Sequence, residues 1–198
     1  MEFVLVAWER DLFEAWRDVF EGIPGVAVEH GDILGRRGDA LVSPANSFGY
    51  MDGGLDLKIS QYFGWALEDR VRATLLDEWF GEVPVGQALI TPTEHELVPF
   101  LITAPTMRVP SDVSTTVNAY LAFKAVIQCV LDFNRRAETL RIETVLVPGL
   151  GTGEGRLSPR RCAEQMLEAH KVCLGGQILR KGGLASAVRH HLRLLGDD

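Results

Sequence analysis

The chain lacks the marks of several protein classes. No apolar run approaches the ~20 residues needed to cross a bilayer, and runs such as Ala119–Ala122 end after a few positions. The N-terminus, Met1-Glu2-Phe3-Val4-Leu5-Val6, carries an acid where a signal peptide has its positive charge, and Glu9, Arg10 and Asp11 follow at once. Cysteine is scarce. Cys129, Cys162 and Cys173 are odd in number and have no Cys-x-x-Cys spacing, which argues against a disulfide frame or a zinc site and reads as free thiols of a reducing compartment. A basic excess is also missing: Lys plus Arg total 20 against 27 for Asp plus Glu, a net charge of −7. That balance argues against a direct grip on nucleic acid through its phosphates. Repeats, low-complexity tracts and linkers are absent. The expectation is a cytoplasmic protein, away from membranes, with no metal or redox cofactor.

What remains is an ordinary globular mixture, 46% hydrophobic and 24% charged over 198 residues, enough for one full-sized domain. Short β-branched runs alternate with helix-periodic ones. Strands are expected at Phe3–Trp8, Val26–Glu29, Ala40–Val42, Gln87–Thr91, Phe100–Ala104 and Val145–Val147. Leu12, Trp16, Val19 and Phe20 share one face of a first helix, which Gly22, Pro24 and Gly25 stop. A long helical pattern runs from Leu57 to Phe80, with Ile59, Tyr62, Phe63 and Ala66 on one side and Gly64 placed to bend or divide it. Ala119–Phe133 is the clearest helix, with Lys124, Gln128 and Asp132 on a narrow wet stripe and Ser114 or Thr115 as its cap. Pro159–Val172 and Leu184–Leu195 complete the set. This alternation predicts one three-layer α/β/α domain over residues 1–198.

Two loops after buried strands concentrate the chemistry. The first runs from Ser43 to Asp56 and contains Gly49, Gly53 and Gly54; the second, Pro148–Arg156, has glycine at 149, 151, 153 and 155. Beyond the carboxyl ends of parallel strands, glycine lets backbone N–H groups approach a phosphate, and a following helix N-terminus adds partial positive charge. Such a pair can clasp a diphosphate without lysine. Two phosphate motifs do not fit. A P-loop begun at Gly149 would need its second glycine where Glu154 stands, with Lys after it, and no lysine is near; Gly-x-Gly-x-x-Gly begun at Gly149, Gly151 or Gly153 would need glycine at Glu154, Arg156 or Ser158. Four glycines in seven positions nonetheless exceed what one tight turn requires.

Gly31-Asp32-Ile33, Asp39–Ser47, Gly53-Gly54-Leu55-Asp56 and Gly149–Gly155, in this order, resemble the macro domain family. The match is closest to a bacterial branch with Met-Asp-Gly-Gly in the first loop and Ala-Pro-Thr-Met-Arg-Val-Pro, here Ala104–Pro110. It covers about 26–172, with an N-terminal strand and helix and a C-terminal helix added. The family binds ADP-ribose, and some members hydrolyse ADP-ribosyl bonds. The resemblance implies a central mixed sheet between helices, with ADP-ribose or an ADP-ribosylated molecule as ligand, substrate or partner in a cleft over the strand ends. Carried onto this chain, Asp32 accepts from the adenine amino group with the Ile33 backbone beside it. Asn46 bonds the distal ribose and stands at the catalytic end. The amides of Gly53, Gly54 and Leu55 face those of Gly149, Gly151, Thr152, Gly153, Glu154 and Gly155 across the diphosphate.

Asp56, ten positions after Asn46, has two readings: the resemblance to hydrolytic members implies an acid that assists a water, and its position implies a first-turn helix residue favoured by the dipole. Departures from the family pattern are Ser43 where Asn is common, Met51-Asp52 shortening the first glycine run, and Glu154-Gly155 in place of a bulky pair. Of the remaining polar residues, Arg108 is equally a cleft residue or a structural one, Asn118 reads as a cap, and His190 as surface. Phe48 and Tyr50 read as packing beneath the loop.

Overall fold

Short apolar runs form the sheet, and β-strands with buried residues on both faces make up its centre. The computed structural model describes residues 1–177 and 182–196. It contains β1 Glu2–Ala7, α1 Arg10–Val19, β2 Val26–His30, β3 Ala40–Ser43, α2 Gly54–Phe63, α3 Ala66–Trp79, β4 Leu89–Pro92, β5 Phe100–Thr103, α4 Asn118–Arg136, β6 Thr144–Val147, α5 Pro159–Cys173 and α6 Gly183–Leu195. The strand order is β2-β1-β6-β3-β5-β4, parallel throughout except for β4, which runs antiparallel to β5. The mixed sheet is thus the middle layer of an α/β/α sandwich.

Strict alternation assigns the two faces. Phe3, Leu5, Ala40, Val42, Val145 and Val147 join Leu12, Trp16, Phe123, Val126, Cys162 and Met166 in one core beneath α1, α4 and α5. Val4, Val6, Leu41 and Leu146 face the other way, onto Ile59 of α2 and Leu67, Val71 and Leu75 of α3. β1, which the sequence places ahead of the core, lies between β2 and β6 in the sheet interior.

Of the two outcomes expected at Gly64 the structure shows division: with a φ of 92° it separates α2 from α3. Other expectations are corrected. On α2 the buried face is Asp56, Ile59 and Ser60, while Tyr62 is exposed, because Ser43 and Met51 offer polar partners inside. Neither Ser114 nor Thr115 caps α4; Val117 occupies the cap position, and Asn118 instead donates from Nδ2 to the Thr106 carbonyl at 2.8 Å. His190 is buried, 5% exposed, because α6 folds back and sets it against the Tyr120 ring and Glu168. Trp8 falls just beyond β1 and is 66% exposed rather than buried in the strand. No helix among the described residues is long and apolar enough to cross a membrane.

Candidate functional site

Five parallel strands end on one edge of the sheet, so the loops that follow them are brought together there. In spatial order these are Gly31-Asp32-Ile33 after β2, Trp8 after β1, Pro148–Leu157 after β6, Pro44–Gly53 after β3 and Ala104–Arg108 after β5. The two glycine loops are neighbours because β6 and β3 pair directly. From the end of β2 to that of β3 is three inter-strand steps, about 14 Å.

The second loop is pinned at its base by Leu150 and Leu157, both buried, and arches between them. Leu157 N–H donates to the Gly151 carbonyl at 2.9 Å and Arg156 N–H to the Gly153 carbonyl at 3.0 Å. The glycines are not equivalent. Gly151 has a φ of +73°. A Cβ on Gly149 would stand 2.4 Å from Thr152 Oγ1 and 2.7 Å from Leu12 Cδ2, and one on Gly155 would stand 2.6 Å from the Gly151 carbonyl oxygen. Gly153 is exposed, lacks a left-handed φ and would meet no atom within 4 Å. Packing and backbone conformation leave its lack of a side chain unaccounted for. The amides of Gly151, Thr152, Gly153 and Glu154 make no hydrogen bond among the described residues.

The first loop shows the same division. Gly49 packs on α3, where a Cβ would come 2.7 Å from Leu75 Cδ1. Gly54 has a φ of +56°, whereas Gly53 has a φ of −142°, and a Cβ added to it would meet no atom within 4 Å. Gly53 is the N-cap of α2 and has no side chain to cap it, so the amides of Gly54, Leu55 and Asp56 have no capping partner among the described residues. At α5, by contrast, Ser158 Oγ accepts from Arg161 N–H at 3.3 Å. Of these two helix starts, the uncapped one therefore lies at the first loop.

Asn46 builds the loop. Its Oδ1 accepts from the N–H groups of Phe48 (3.0 Å) and Tyr50 (3.4 Å), and its Nδ2 donates to the Tyr50 carbonyl at 2.8 Å. The carbonyl expected to meet a ribose is thus engaged within the chain, and one amide proton is left. Phe48 lies under the Arg108 guanidinium, 4.9 Å from the ring centre, and Tyr50 under that of Arg72 at 4.6 Å. Arg108 Nε also donates to Glu82 at 2.8 Å, which makes it a structural arginine at the loop's outer side.

Asp56 sits in the first turn of α2 and is 9% exposed. Ser43 Oγ, from the last residue of β3, donates to Asp56 Oδ1 at 2.6 Å. Burial pushes the carboxyl up to about 6; the Ser43 hydrogen bond opposes that shift and Glu68 adds to it. A carboxylate held near pH 6 is a stronger base than an ordinary one and is still ionised at neutral pH. The resemblance to a known family singles out Asp56, while its partnership with Ser43 depends on β3 and α2 meeting.

Asp32 is exposed. Its Oδ1 accepts from Leu34 N–H at 2.9 Å, the Asx-type turn. Arg36, which no sequence motif marks, fixes this loop by donating from Nε to the Asp32 carbonyl at 2.7 Å while pairing with Glu29. Ile33 is buried beneath. Burial pushes Cys162 up to about 12 and Cys129 up to about 11, which keeps both as thiols at neutral pH and unsuited to attack.

A family model described as Macro domain matches residues 42–166. An uncharacterized protein of Aeropyrum pernix is 33% identical over 150 residues, which is 76% of this chain and 72% of that protein. The macrodomain of Mycobacterium tuberculosis DarG superposes with a TM-score of 0.59 at 22% identity, over 72% of this chain and 87% of that one. A point mutant of the Oceanobacillus iheyensis macrodomain, solved with ADPR, gives 0.58 at 17% identity, over 85% and 91%. At these identities the two structures speak to the fold.

Proposed function

The chain belongs to the macro domain family, and from that premise we propose that it binds ADP-ribose, free or attached to another molecule. The observation that carries this reading is the pair Gly53 and Gly153: two exposed glycines on adjacent loops, neither required by packing or by φ, beside amides left without partners. Backbone N–H groups at such positions suit a diphosphate. The order of the loops supports the same ligand. Asp32 at the β2 end, the second loop at β6 and the first loop at β3 follow the order adenine, diphosphate, distal ribose. The ADPR in the Oceanobacillus iheyensis macrodomain is in keeping with it.

In this reading the second oxygen of Asp32 accepts from the adenine amino group, and the remaining amide proton of Asn46 reaches a ribose hydroxyl. Gly53, Gly54, Leu55 and Gly151–Glu154 hold the phosphates, and no cofactor takes part. Calorimetric titration with ADP-ribose tests it. Saturable binding is expected, and Asp32→Ala should weaken it by about 1.5–3 kcal/mol, the cost of a charge-assisted hydrogen bond. A folded wild-type protein that does not bind ADP-ribose would rule the reading out.

A second reading adds hydrolysis, favoured by the buried Ser43–Asp56 pair. Asp56 takes a proton from a water that attacks the distal ribose at its anomeric carbon. The bond to the attached group breaks with its electron pair going to that group, which takes up the proton that Asp56 then gives back.

A further inference from the structure

The sheet register extends past the end of β1. Ala7 pairs with His30, and Gly31 N–H donates to the Ala7 carbonyl at 2.8 Å. Trp8 therefore lies opposite Gly31, one residue from Asp32, on the adjacent strand end. Its main chain is held there: the Trp8 carbonyl is 3.1 Å from His30 Nε2, and the His30 ring packs on Phe13 of α1. Along β1, Val4 and Val6 point to the α2–α3 layer, and Trp8 continues that alternation. Its side chain meets Lys58 of α2, whose Nζ lies 5.7 Å from the ring centre.

An indole 66% exposed on a fixed backbone costs apolar area that the core could have buried. Its strand end lies between the strand ends that lead into Asp32 and into the second glycine loop. The aromatics of the first loop, Phe48 and Tyr50, are each covered by an arginine. Over the Trp8 ring lies the Lys58 ammonium, a group that a flat aromatic ring can displace.

We infer that Trp8 is the stacking platform for the nucleobase, its ring face gripping the base whose amino edge Asp32 reads. This rests on the ADP-ribose reading and adds a base-stacking contact from outside the segment matched by the family model. The displaced Lys58 ammonium lies one helical turn from the amides of Gly54 and Leu55, where the diphosphate carries its charge.

Calorimetry with ADP-ribose on the wild type and on Trp8→Ala, Trp8→Leu and Trp8→Phe tests the inference, with thermal unfolding of each variant as a control. Trp8 is exposed, so all three should fold. Ala and Leu are expected to weaken binding about tenfold or more, and Phe to restore most of it. A Leu variant that binds as well as the Phe variant would reduce the contact to bulk and overturn the stacking role. Wild-type affinity in all three variants would remove Trp8 from the site while leaving the ADP-ribose reading intact. A wild-type protein that does not bind would overturn both.

Discussion

Asp56→Asn is expected to lower turnover of an ADP-ribosyl substrate by a factor of about 10²–10⁴, the usual contribution of a general base, while stabilising the protein at pH 8. Both effects come from the same burial. In the unfolded chain the carboxyl titrates at its ordinary value of 3.8, and in the fold it is pushed up to about 6. Below pH 4 it is protonated in both states and contributes nothing. Between about 4 and 6 the unfolded chain gives up the proton first, so stability falls as pH rises. Above 6 the full cost is present, about 3 kcal/mol at most.

Asn keeps an oxygen for Ser43 and carries no charge. The variant and the wild type should therefore match in denaturant unfolding at pH 4 and separate by about 1–3 kcal/mol at pH 8. Wild-type turnover should rise with pH through about 6 and then level off, following ionisation of Asp56. Equal turnover in the two proteins would remove Asp56 from the chemistry. Absence of wild-type turnover, with ADP-ribose binding intact, would leave a binding module.

The second large effect separates two glycines two residues apart. In Gly155→Ala the new methyl would stand 2.6 Å from the Gly151 carbonyl oxygen and from Val113 Cγ2, and 3.1 Å from Met107 Cε. The backbone oxygen cannot swing aside as a side-chain end would. Movement there also strains the Val113 N–H bond to the Gly155 carbonyl, 2.9 Å in length. Destabilisation of about 1–3 kcal/mol is expected from such overpacking.

Gly153→Ala meets no atom within 4 Å and no left-handed φ. Its fold should be unaffected, or stabilised by up to about 1 kcal/mol through the unfolded chain. Its methyl would nevertheless stand at amides assigned to the diphosphate. Loss of one such charge-assisted bond predicts about tenfold to a hundredfold weaker ADP-ribose binding. Unfolding curves and calorimetry on the two variants check the pair. Wild-type affinity in Gly153→Ala would take the second loop out of phosphate binding.

Strand and helix types were legible because burial on two faces leaves short apolar runs, and burial on one leaves a 3.6-residue period. Element ends were less so. Gly64 was marked as a breaker, but local pattern alone could not choose between bending and dividing. Of the residues grouped on one side, Ile59 is buried on α2 but Tyr62 is exposed and Ala66 opens α3, because periodicity scores hydrophobic residues and cannot see that Ser43 and Met51 hold polar partners for Asp56 and Ser60.

Local composition and pattern were enough to specify the class of fold and the two glycine loops, and the resemblance to the macro domain family named the candidates Asp32, Asn46 and Asp56. What each of them does depends on the closed chain. Strand order β2-β1-β6-β3-β5-β4 sets Asp32, the glycine loops and Asp56 along one edge, and such pairing is long-range, beyond any local pattern. Folding also committed the Asn46 carbonyl to its own loop, buried His190 and left Trp8 exposed. Each of these outcomes depends on which distant groups compete for the same hydrogen bond or the same apolar surface. That competition is resolved only when the chain has closed on itself.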